Sequence, residues 1–253
     1  PITFSMNNTG GNHPTQEVID RFPTVDGKTY TYADWKKDGK NDIFTLWQNR
    51  DKRFYATVVY QGVTYFNTVM ELNENAQNDY AYGKNMGSRT GYYSKKGIDE
   101  SISISDCQKS GTDYIDIRLA EVMLNYAEAA VEVGKQGEAF EILKQIRERA
   151  GIPGYGTASL PKATTTSEIM KLIQKEKRIE LSFENCRYFD VRRWGLTNEF
   201  FNKPVHGMNV NYDGNEFYKR TEITSRNFDR QYFFPIPQSE IDIDKNLVQN
   251  EGF

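Results

Sequence analysis

Apolar residues recur at helical spacing along residues 168–195, the longest stretch of the chain without Pro or Gly before its end. The stripe consists of Ile169, Leu172, Ile173, Ile179, Phe183, Cys186, Val191 and Trp194. Thr165 precedes Glu168 by three residues, which is the capping-box arrangement that starts a helix, and Gly195 supplies a stop. The pattern therefore predicts one long central helix. Leu181, Tyr188 and Phe189 lie off the stripe and predict burial on more than one side.

Three glutamates follow one another at four-residue spacing on this predicted helix: Glu176, Glu180 and Glu184. Like charges at this spacing destabilise an isolated helix by roughly 0.2–0.5 kcal/mol per pair, so basic groups must lie close to them. The basic residues nearest in sequence are Lys177, Arg187, Arg192 and Arg193. We favour a structural network of ion pairs, for which arginine is well suited. A pair of catalytic carboxylates remains the alternative.

Two further helical stripes follow residue 114, and each ends at a glycine. The first stripe comprises Leu119, Val122, Met123, Tyr126, Ala130 and Val133; the second comprises Ala139, Ile142, Leu143, Ile146 and Ala150. Two helices joined by so few residues must lie antiparallel and share a core. The small residues Ala127, Gly134 and Ala139 fit a degenerate tetratricopeptide pattern. One such unit cannot bury its own faces, so we expect the central helix to pack on it and further repeats to exist elsewhere.

Two pairs of segments have the composition of minor β-hairpins. Residues 53–60 and 63–69 flank Gln61 and Gly62, and residues 205–212 and 216–223 flank an Asp-Gly turn. Near the end of the chain, prolines exclude a central strand from residues 232–237. We expect that apolar segment to pack onto the helices.

Aromatic side chains are concentrated in the turn-rich residues 1–112, among Asn, Asp, Gly and Ser. A sugar ring stacks on an aromatic face while its hydroxyl groups bond polar side chains, and loops are common places for such contacts. The candidate ligand-binding residues are Tyr30, Tyr32, Trp35, Tyr80, Tyr82, Tyr92 and Tyr93. The alternative for these rings is packing beneath the loops. Trp47 and Trp194 fit core positions better.

Composition excludes several classes of function. The 253 residues carry 32 basic and 35 acidic side chains, a balance that argues against a nucleic-acid partner. His13 and His206 lack the spacing of metal ligands, and no phosphate-binding loop is present, so neither a metal nor a cofactor is predicted. Cys107 and Cys186 are too few for a disulfide framework. The sequence contains no apolar run long enough to span a membrane.

Several motifs occur in the order typical of one family. Residues 177–195 read KRIELSFENCRYFDVRRWG, residues 114–129 read YIDIRLAEVMLNYAEA, and residues 142–153 read ILKQIRERAGIP. PTQE at residues 14–17 and YFFPIP at residues 232–237 agree with them. Together these stretches resemble the SusD/RagB family of outer-membrane nutrient-binding lipoproteins, and specifically the C-terminal half of a member.

The resemblance implies a mainly α fold, with a tetratricopeptide-like helical hairpin, a long central helix and minor β-hairpins. We expect residues 1–112 to form a loop-rich, ligand-facing region and residues 113–253 to form the helical scaffold. The implied function is non-catalytic binding of an oligosaccharide at the cell surface. Delivery to a SusC-like, TonB-dependent outer-membrane transporter would follow, with a lipid anchor outside this chain as the membrane attachment. A glycoside hydrolase with a carboxylate pair and a peptide- or protein-binding adaptor remain alternatives.

Overall fold

The computed structural model describes residues 13–78, 87–103, 106, 109–157, 160, 162–209, 219–225, 233–251 and 253. The helices of these residues are α1 (Gln16–Ile19), α2 (Tyr32–Lys37), α3 (Phe44–Trp47), α4 (Lys52–Thr57), α5 (Leu119–Glu132), α6 (Gln136–Arg149), α7 (Thr166–Glu180), α8 (Cys186–Arg193), α9 (Thr197–Phe200) and α10 (Gln238–Ile243). The strands are β1 (Val58–Val59), β2 (Thr64–Tyr65), β3 (Thr68–Val69), β4 (Tyr93–Ser94), β5 (Pro204–Asn209) and β6 (Lys219–Ser225). The predicted class, mainly α with minor strands, is confirmed. Among the helices described, none is long and apolar enough to cross a membrane.

Helices α5 and α6 form the predicted hairpin, and α7 packs on it as expected. One apolar cluster joins the three helices, with Leu124 from α5, Leu143 from α6 and Ile173 from α7 among its fully buried members. Ala127 and Ala139 are fully buried in the same cluster, where their small side chains allow the helix backbones to approach closely. The tetratricopeptide-like scaffold therefore rests on three helices.

The face that α5 buries differs from the predicted stripe. Its buried residues are Ala120, Leu124, Ala127, Ala130 and Val131. Most larger side chains of the predicted stripe lie on the other side, and Leu119, Val122, Tyr126 and Val133 are each at least 49% exposed. Close packing selects the alanine-rich face, because small side chains let α5 lie against α6 and α7. The α5 stripe prediction is wrong except at Ala130 and Met123, which packs at the edge of the cluster.

The central helix begins as predicted and then divides. The Thr165 side chain accepts a hydrogen bond from the backbone amide of Glu168, and the Glu168 carboxylate accepts one from Thr165, so the capping box is present. Helix α7 ends at Glu180, and α8 begins only at Cys186. Between them Phe183 and Asn185 adopt left-handed φ values of 65° and 63°, which a continuous α-helix does not allow. The single long helix is therefore two helices joined by a turn.

The strand predictions were right for one hairpin and wrong for the other. Strands β5 and β6 pair antiparallel, with Val205 opposite Thr224, as the pattern predicted; the Asp-Gly turn between them lies outside the described residues. In the first region, residues 52–57 form α4 instead of a strand. Strand β1 pairs with the distant β4, while β2 pairs with β3. Phe54 packs in the core from this helix, which strand-like composition alone does not reveal.

A second apolar cluster, here called the aromatic core, joins the chain's first region to its scaffold. Its buried residues are Ile19, Phe22, Trp35, Ile43, Leu46, Trp47, Phe54, Val58, Tyr92, Ile179 and Met208. Ile179 belongs to α7 and Met208 to β5, so the loop-rich region packs directly on the helical scaffold. The division at residue 112 stays a prediction.

The C-terminal segment packs less than expected. Helix α10 buries none of its residues, and Phe234 is 70% exposed. Its ring lies 5.2 Å from the Arg192 guanidinium carbon, a contact with α8. Residues 232–237 were expected to pack onto the helices; Phe234 does contact α8, but its ring stays largely exposed.

Candidate ligand-binding site

Two of the candidate tyrosines lie at the edge of the aromatic core with their rings half-exposed. Tyr30 and Tyr32 precede and begin α2, whose start is fixed by a capping box between Thr31 and Asp34. The Tyr30 hydroxyl donates to Asp38 at 2.9 Å and accepts from Lys40 at 3.0 Å. This edge therefore combines aromatic faces with charged groups, the two kinds of contact that a sugar needs.

Three other candidates are buried within the protein. Trp35 is 1% exposed, and its indole N–H donates to Thr45 Oγ1 at 2.8 Å. Tyr92 is fully buried and donates to Gln16 Oε1 at 2.8 Å, while Tyr93 is fully buried in β4 and accepts from the Ser88 amide. In this structure these rings present no face to solvent, because their polar atoms are satisfied internally and the rings fill the core.

The remaining candidates, Tyr80 and Tyr82, lie outside the described residues. Other half-exposed rings border the same core. Tyr55 and Tyr60 pack at its edge, and Phe44 stands edge-on to Trp47 at a centroid distance of 5.8 Å. Sequence reasoning missed Tyr55 and Tyr60 because it placed them in a strand.

Arg50 holds the candidate edge in position. The side chain is 1% exposed, and it donates to the carbonyl oxygens of Leu46 at 2.8 Å, Phe22 at 2.9 Å and Tyr30 at 2.6 Å. Burial lowers the pKa of this guanidinium. Three carbonyl acceptors compensate for part of its lost hydration, while its buried Nη2 atom has no partner among the described residues. The same acceptors fix the backbone of Tyr30 relative to α3. No sequence motif announced this role.

The glutamates of the central helix form the predicted ion-pair network, but with different partners. Glu176 is fully buried and lies 2.7 Å from Arg53 and 3.1 Å from Arg147, which is also fully buried. Glu180 accepts from Arg53 at 2.9 Å, from Arg118 at 2.8 Å and from Arg149. The basic groups come from α4, α6 and the residue before α5, and not from the same helix.

Glu184 lies in the turn after α7 and extends the network. Arg118 donates to both of its carboxylate oxygens, at 2.5 Å and 2.9 Å, and Lys96 also pairs with it. Lys96 and Arg118 each donate to the backbone carbonyl of Glu180 at 2.7 Å, which is freed where the helix ends. The turn between α7 and α8 is therefore part of the network.

The basic residues of the central stretch serve a second cluster. Lys177 lies 3.1 Å from Glu128 of α5 and 3.3 Å from Asp190 of α8. Arg193 donates to both of these carboxylates, and the Trp194 indole donates to Glu128 at 2.8 Å. These contacts hold α8 against the α5–α6 hairpin. The prediction that Lys177 and Arg193 pair with the glutamates at residues 176, 180 and 184 is therefore wrong.

The electrostatics of these carboxylates do not suit a proton donor. Burial raises the pKa of Glu180, but hydrogen bonds from Arg149, Arg118 and Arg53 outweigh it and bring the pKa to about 2. Burial likewise raises the pKa of Glu184, and hydrogen bonds from Arg118 and Lys96 lower it overall. A general acid must hold a proton near neutral pH, so this pair lacks the asymmetry that glycoside hydrolysis requires.

We expect the protein to lose stability as the pH falls from about 5 towards 2. The pKa of Glu180 and that of Glu128, where burial is outweighed by Arg193, Trp194 and Lys177, are both about 2 in the folded state, against 4.5 for an ordinary glutamate. Their stabilisation is therefore fully present above the unfolded pKa and is lost as the pH falls through the folded pKa. Urea unfolding at a series of pH values measures this effect.

The matched control is Glu128→Gln, which should lower stability at neutral pH and weaken its dependence on pH. A urea midpoint that stays constant down to about pH 3 would contradict the expectation.

Other chemistry is not supported by the described side chains. No cluster of three or more His, Cys, Asp or Glu side chains suited to a metal occurs among them. His206 lies in strand β5 with its Nδ1 2.7 Å from Glu17. Burial raises the pKa of the half-buried Cys186 thiol to about 11, so it is not a reactive thiolate at neutral pH. Cys107 lies outside the described residues.

The sequence profile of the SusD family matches residues 3–253, nearly the entire chain. The chain belongs to the SusD family. A relative in Formosa agariphila, SusD-like protein P2, is 32% identical over 147 residues, which is 56% of this chain and 26% of that protein. SusD-like protein P38 of the same organism is 30% identical over 123 residues, 47% of this chain and 23% of that protein.

Solved structures of SusD relatives agree with the fold. A SusD-like protein from Bacteroides fragilis superposes with a TM-score of 0.80 at 33% identity, over 96% of this chain and 48% of that one. A second B. fragilis protein, described as a SusD-like carbohydrate binding protein, superposes with a TM-score of 0.73 at 27% identity, over 93% of this chain and 48% of that one. The chain thus spans about a quarter of the curated relatives and about half of the solved SusD structures.

Proposed function

We propose that this chain is part of a bacterial cell-surface protein that binds an oligosaccharide without catalysing a reaction. The observation that carries the proposal is membership of the SusD family, together with a solved relative described as a carbohydrate binding protein. The electrostatics support the non-catalytic part, because the candidate carboxylates are committed to arginine and lysine partners.

We place the ligand at the edge of the aromatic core. Tyr30 and Tyr32 supply half-exposed rings, and Tyr80 and Tyr82 are proposed to complete the aromatic surface. Trp35 and Tyr92 act beneath this surface as packing that positions it, whereas Tyr93 is buried in a separate cluster with Val59 and Tyr65. A ring stacked on a sugar contributes about 0.5–1.5 kcal/mol beyond its buried area, so several modest contacts suffice for binding.

The test is calorimetric titration of the full-length protein against a panel of plant, host and microbial glycans, with release of reducing ends assayed in the same samples. Binding without release is expected. Tyr32→Ala and Tyr82→Ala should each weaken binding about tenfold, which corresponds to about 1.4 kcal/mol. Tyr126→Ala is the matched control, because Tyr126 is an exposed tyrosine on α5 and should leave affinity unchanged.

The other outcomes distinguish the rival functions. Release of reducing ends would favour a glycoside hydrolase. Failure of every glycan to bind, with binding of a peptide, would favour an adaptor.

For the partner, we propose a SusC-like, TonB-dependent outer-membrane transporter that takes over the bound sugar, with a lipid anchor holding the protein at the outer membrane. Co-purification of that transporter with the full-length protein tests this step.

A further inference from the structure

Two cavities adjoin one another where α7 faces α8. One has a volume of about 460 Å³ and the other about 740 Å³, and both are lined by Arg178 of α7 and Arg187 of α8. The two cavities therefore share these two arginines as lining residues. Trp194 and Phe200 line the larger one, which has the size typical of small-molecule sites.

The larger cavity carries an excess of positive charge. Its two acidic lining residues are Glu132 and Glu199, against five basic ones: Arg21, Lys171, Lys175, Arg178 and Arg187. Within the parts of the chain that the structure describes, no carboxylate oxygen lies within 4.0 Å of Arg21, Arg178 or Arg187. This contrasts with the neighbouring arginines 53, 118 and 147, which all pair with glutamates of the central stretch.

Among these arginines, Arg187 has a buried hydrogen-bond donor for which the described residues supply no acceptor. Its guanidinium carbon lies 4.4 Å from the centre of the Phe200 ring and 5.9 Å from that of Trp194, so aromatic contacts hold the group in place. Its Nη2 atom is buried and has no hydrogen-bond partner among the described residues. A buried charged donor without an acceptor is costly, and a bound anion would remove that cost.

Repulsion between neighbouring positive charges also favours a bound anion. Burial, together with the positive charges of Arg187 and Arg21, lowers the pKa of Arg178 to about 9. Burial lowers the pKa of Arg187 to about 10, with Arg21 acting in the same direction and Asp190 and Glu199 against it. The pKa of Lys175 is also lowered, by burial and then by Arg147 and Arg21. An anion placed among these groups would lower the repulsion between them.

We propose that the larger cavity binds an acidic unit of the glycan, a uronate whose carboxylate pairs with Arg178 and Arg187. A guanidinium donates two parallel hydrogen bonds to the oxygens of a carboxylate, and Trp194 and Phe200 provide rings for the sugar face. This inference rests on the proposed function, and it adds the class of substrate and a second contact region, apart from the tyrosines at the aromatic core.

The test compares each acidic glycan with its own neutral form. Galacturonate, glucuronate and mannuronate oligosaccharides are titrated into the full-length protein at low salt, beside the same oligosaccharides with every carboxyl group methyl-esterified. At least one acidic form should bind tenfold or more tightly than its ester, and added salt should reduce the difference. A sulfated neutral oligosaccharide, run in parallel, tests whether a sulfate ester replaces the carboxylate.

Arginine variants test which residues cause the preference for the acidic form. Arg178→Gln and Arg187→Gln should each remove the preference for the acidic form and retain binding of the ester. Each should keep or raise the thermal midpoint of the unliganded protein, because an unpaired charge is removed. Lys144→Gln is the control, since Lys144 is an exposed basic residue of α6 and should keep the preference.

The inference is overturned if acidic and esterified forms bind equally, if only the sulfated probe binds, or if the arginine variants retain the preference. Equal binding that Tyr32→Ala still weakens would leave the proposed function standing. Failure of every acidic and neutral glycan would overturn both.

Discussion

Replacing Glu180 by Gln is expected to lower the free energy of unfolding by about 3–5 kcal/mol. The Glu180 side chain is 2% exposed and accepts hydrogen bonds from Arg53, Arg118 and Arg149. The amide keeps nearly the same shape, but it removes the negative charge and turns an N–H₂ group towards the guanidinium groups. Buried positive charge is then left without its counter-charge. Urea unfolding followed by circular dichroism measures the loss.

The control for Glu180→Gln is Glu141→Gln on the surface of α6. Glu141 is 56% exposed and lies 3.9 Å from Lys144, so its loss should cost less than about 0.5 kcal/mol. If the two variants unfolded at the same urea concentration, the network would not stabilise the fold. A loss of glycan binding in folded Glu180→Gln would also show that Glu180 serves more than structure.

The three glutamates at residues 176, 180 and 184 illustrate what spacing along a chain can predict. The like charges at residues 176, 180 and 184 required basic partners, and this followed from helix geometry alone. The partners themselves did not follow, because Arg53 is 127 residues from Glu180 and Arg118 is 62 residues away. Only tertiary packing brings such positions together. Local spacing favoured Lys177 and Arg193 as the partners of these glutamates. In the structure Lys177 pairs with Glu128, and Arg193 pairs with Asp190.

Helix starts were easier to predict than helix interruptions. The capping box at Thr165 is a local motif and was confirmed. The turn after Glu180 depends on left-handed conformations at Phe183 and Asn185, and a phenylalanine gives no signal for such a conformation. It is stabilised by Lys96 and Arg118, which donate to the Glu180 carbonyl from outside the helix.

The aromatic candidates show the same limit at the site. Composition identified the region rich in rings, but exposure of a ring depends on what packs around it. Trp35 and Tyr92 lie in the aromatic core, whereas Tyr30 and Tyr32 lie at its edge. The composition of residues 53–60 suggested a strand, and α4 instead places Phe54 in the core and Tyr55 at its edge. No motif predicted the cavity lined by Arg178 and Arg187, and Arg187 had been assigned to the glutamates at residues 176, 180 and 184.

The loop before β4 approaches β5 closely at Gly91. The Thr90 carbonyl accepts a hydrogen bond from the Met208 amide at 2.8 Å. Gly91 has a φ of 72°, and a Cβ atom added there would lie 2.3 Å from the Met208 carbonyl oxygen. This contact attaches the loop-rich region to the β5–β6 hairpin through backbone atoms, which cannot move aside as a flexible side chain could.

Gly91→Ala should therefore lower the free energy of unfolding by about 3–5 kcal/mol, because left-handed strain adds to a backbone clash. Gly97→Ala separates the two contributions. Gly97 has nearly the same φ, 75°, and nothing lies within 4 Å of an added Cβ, so only the conformational cost of about 1–2 kcal/mol applies. Urea unfolding of both variants measures the difference. Equal losses would mean that the loop withdraws from β5 at little cost, and that the backbone contact does not hold the two regions together.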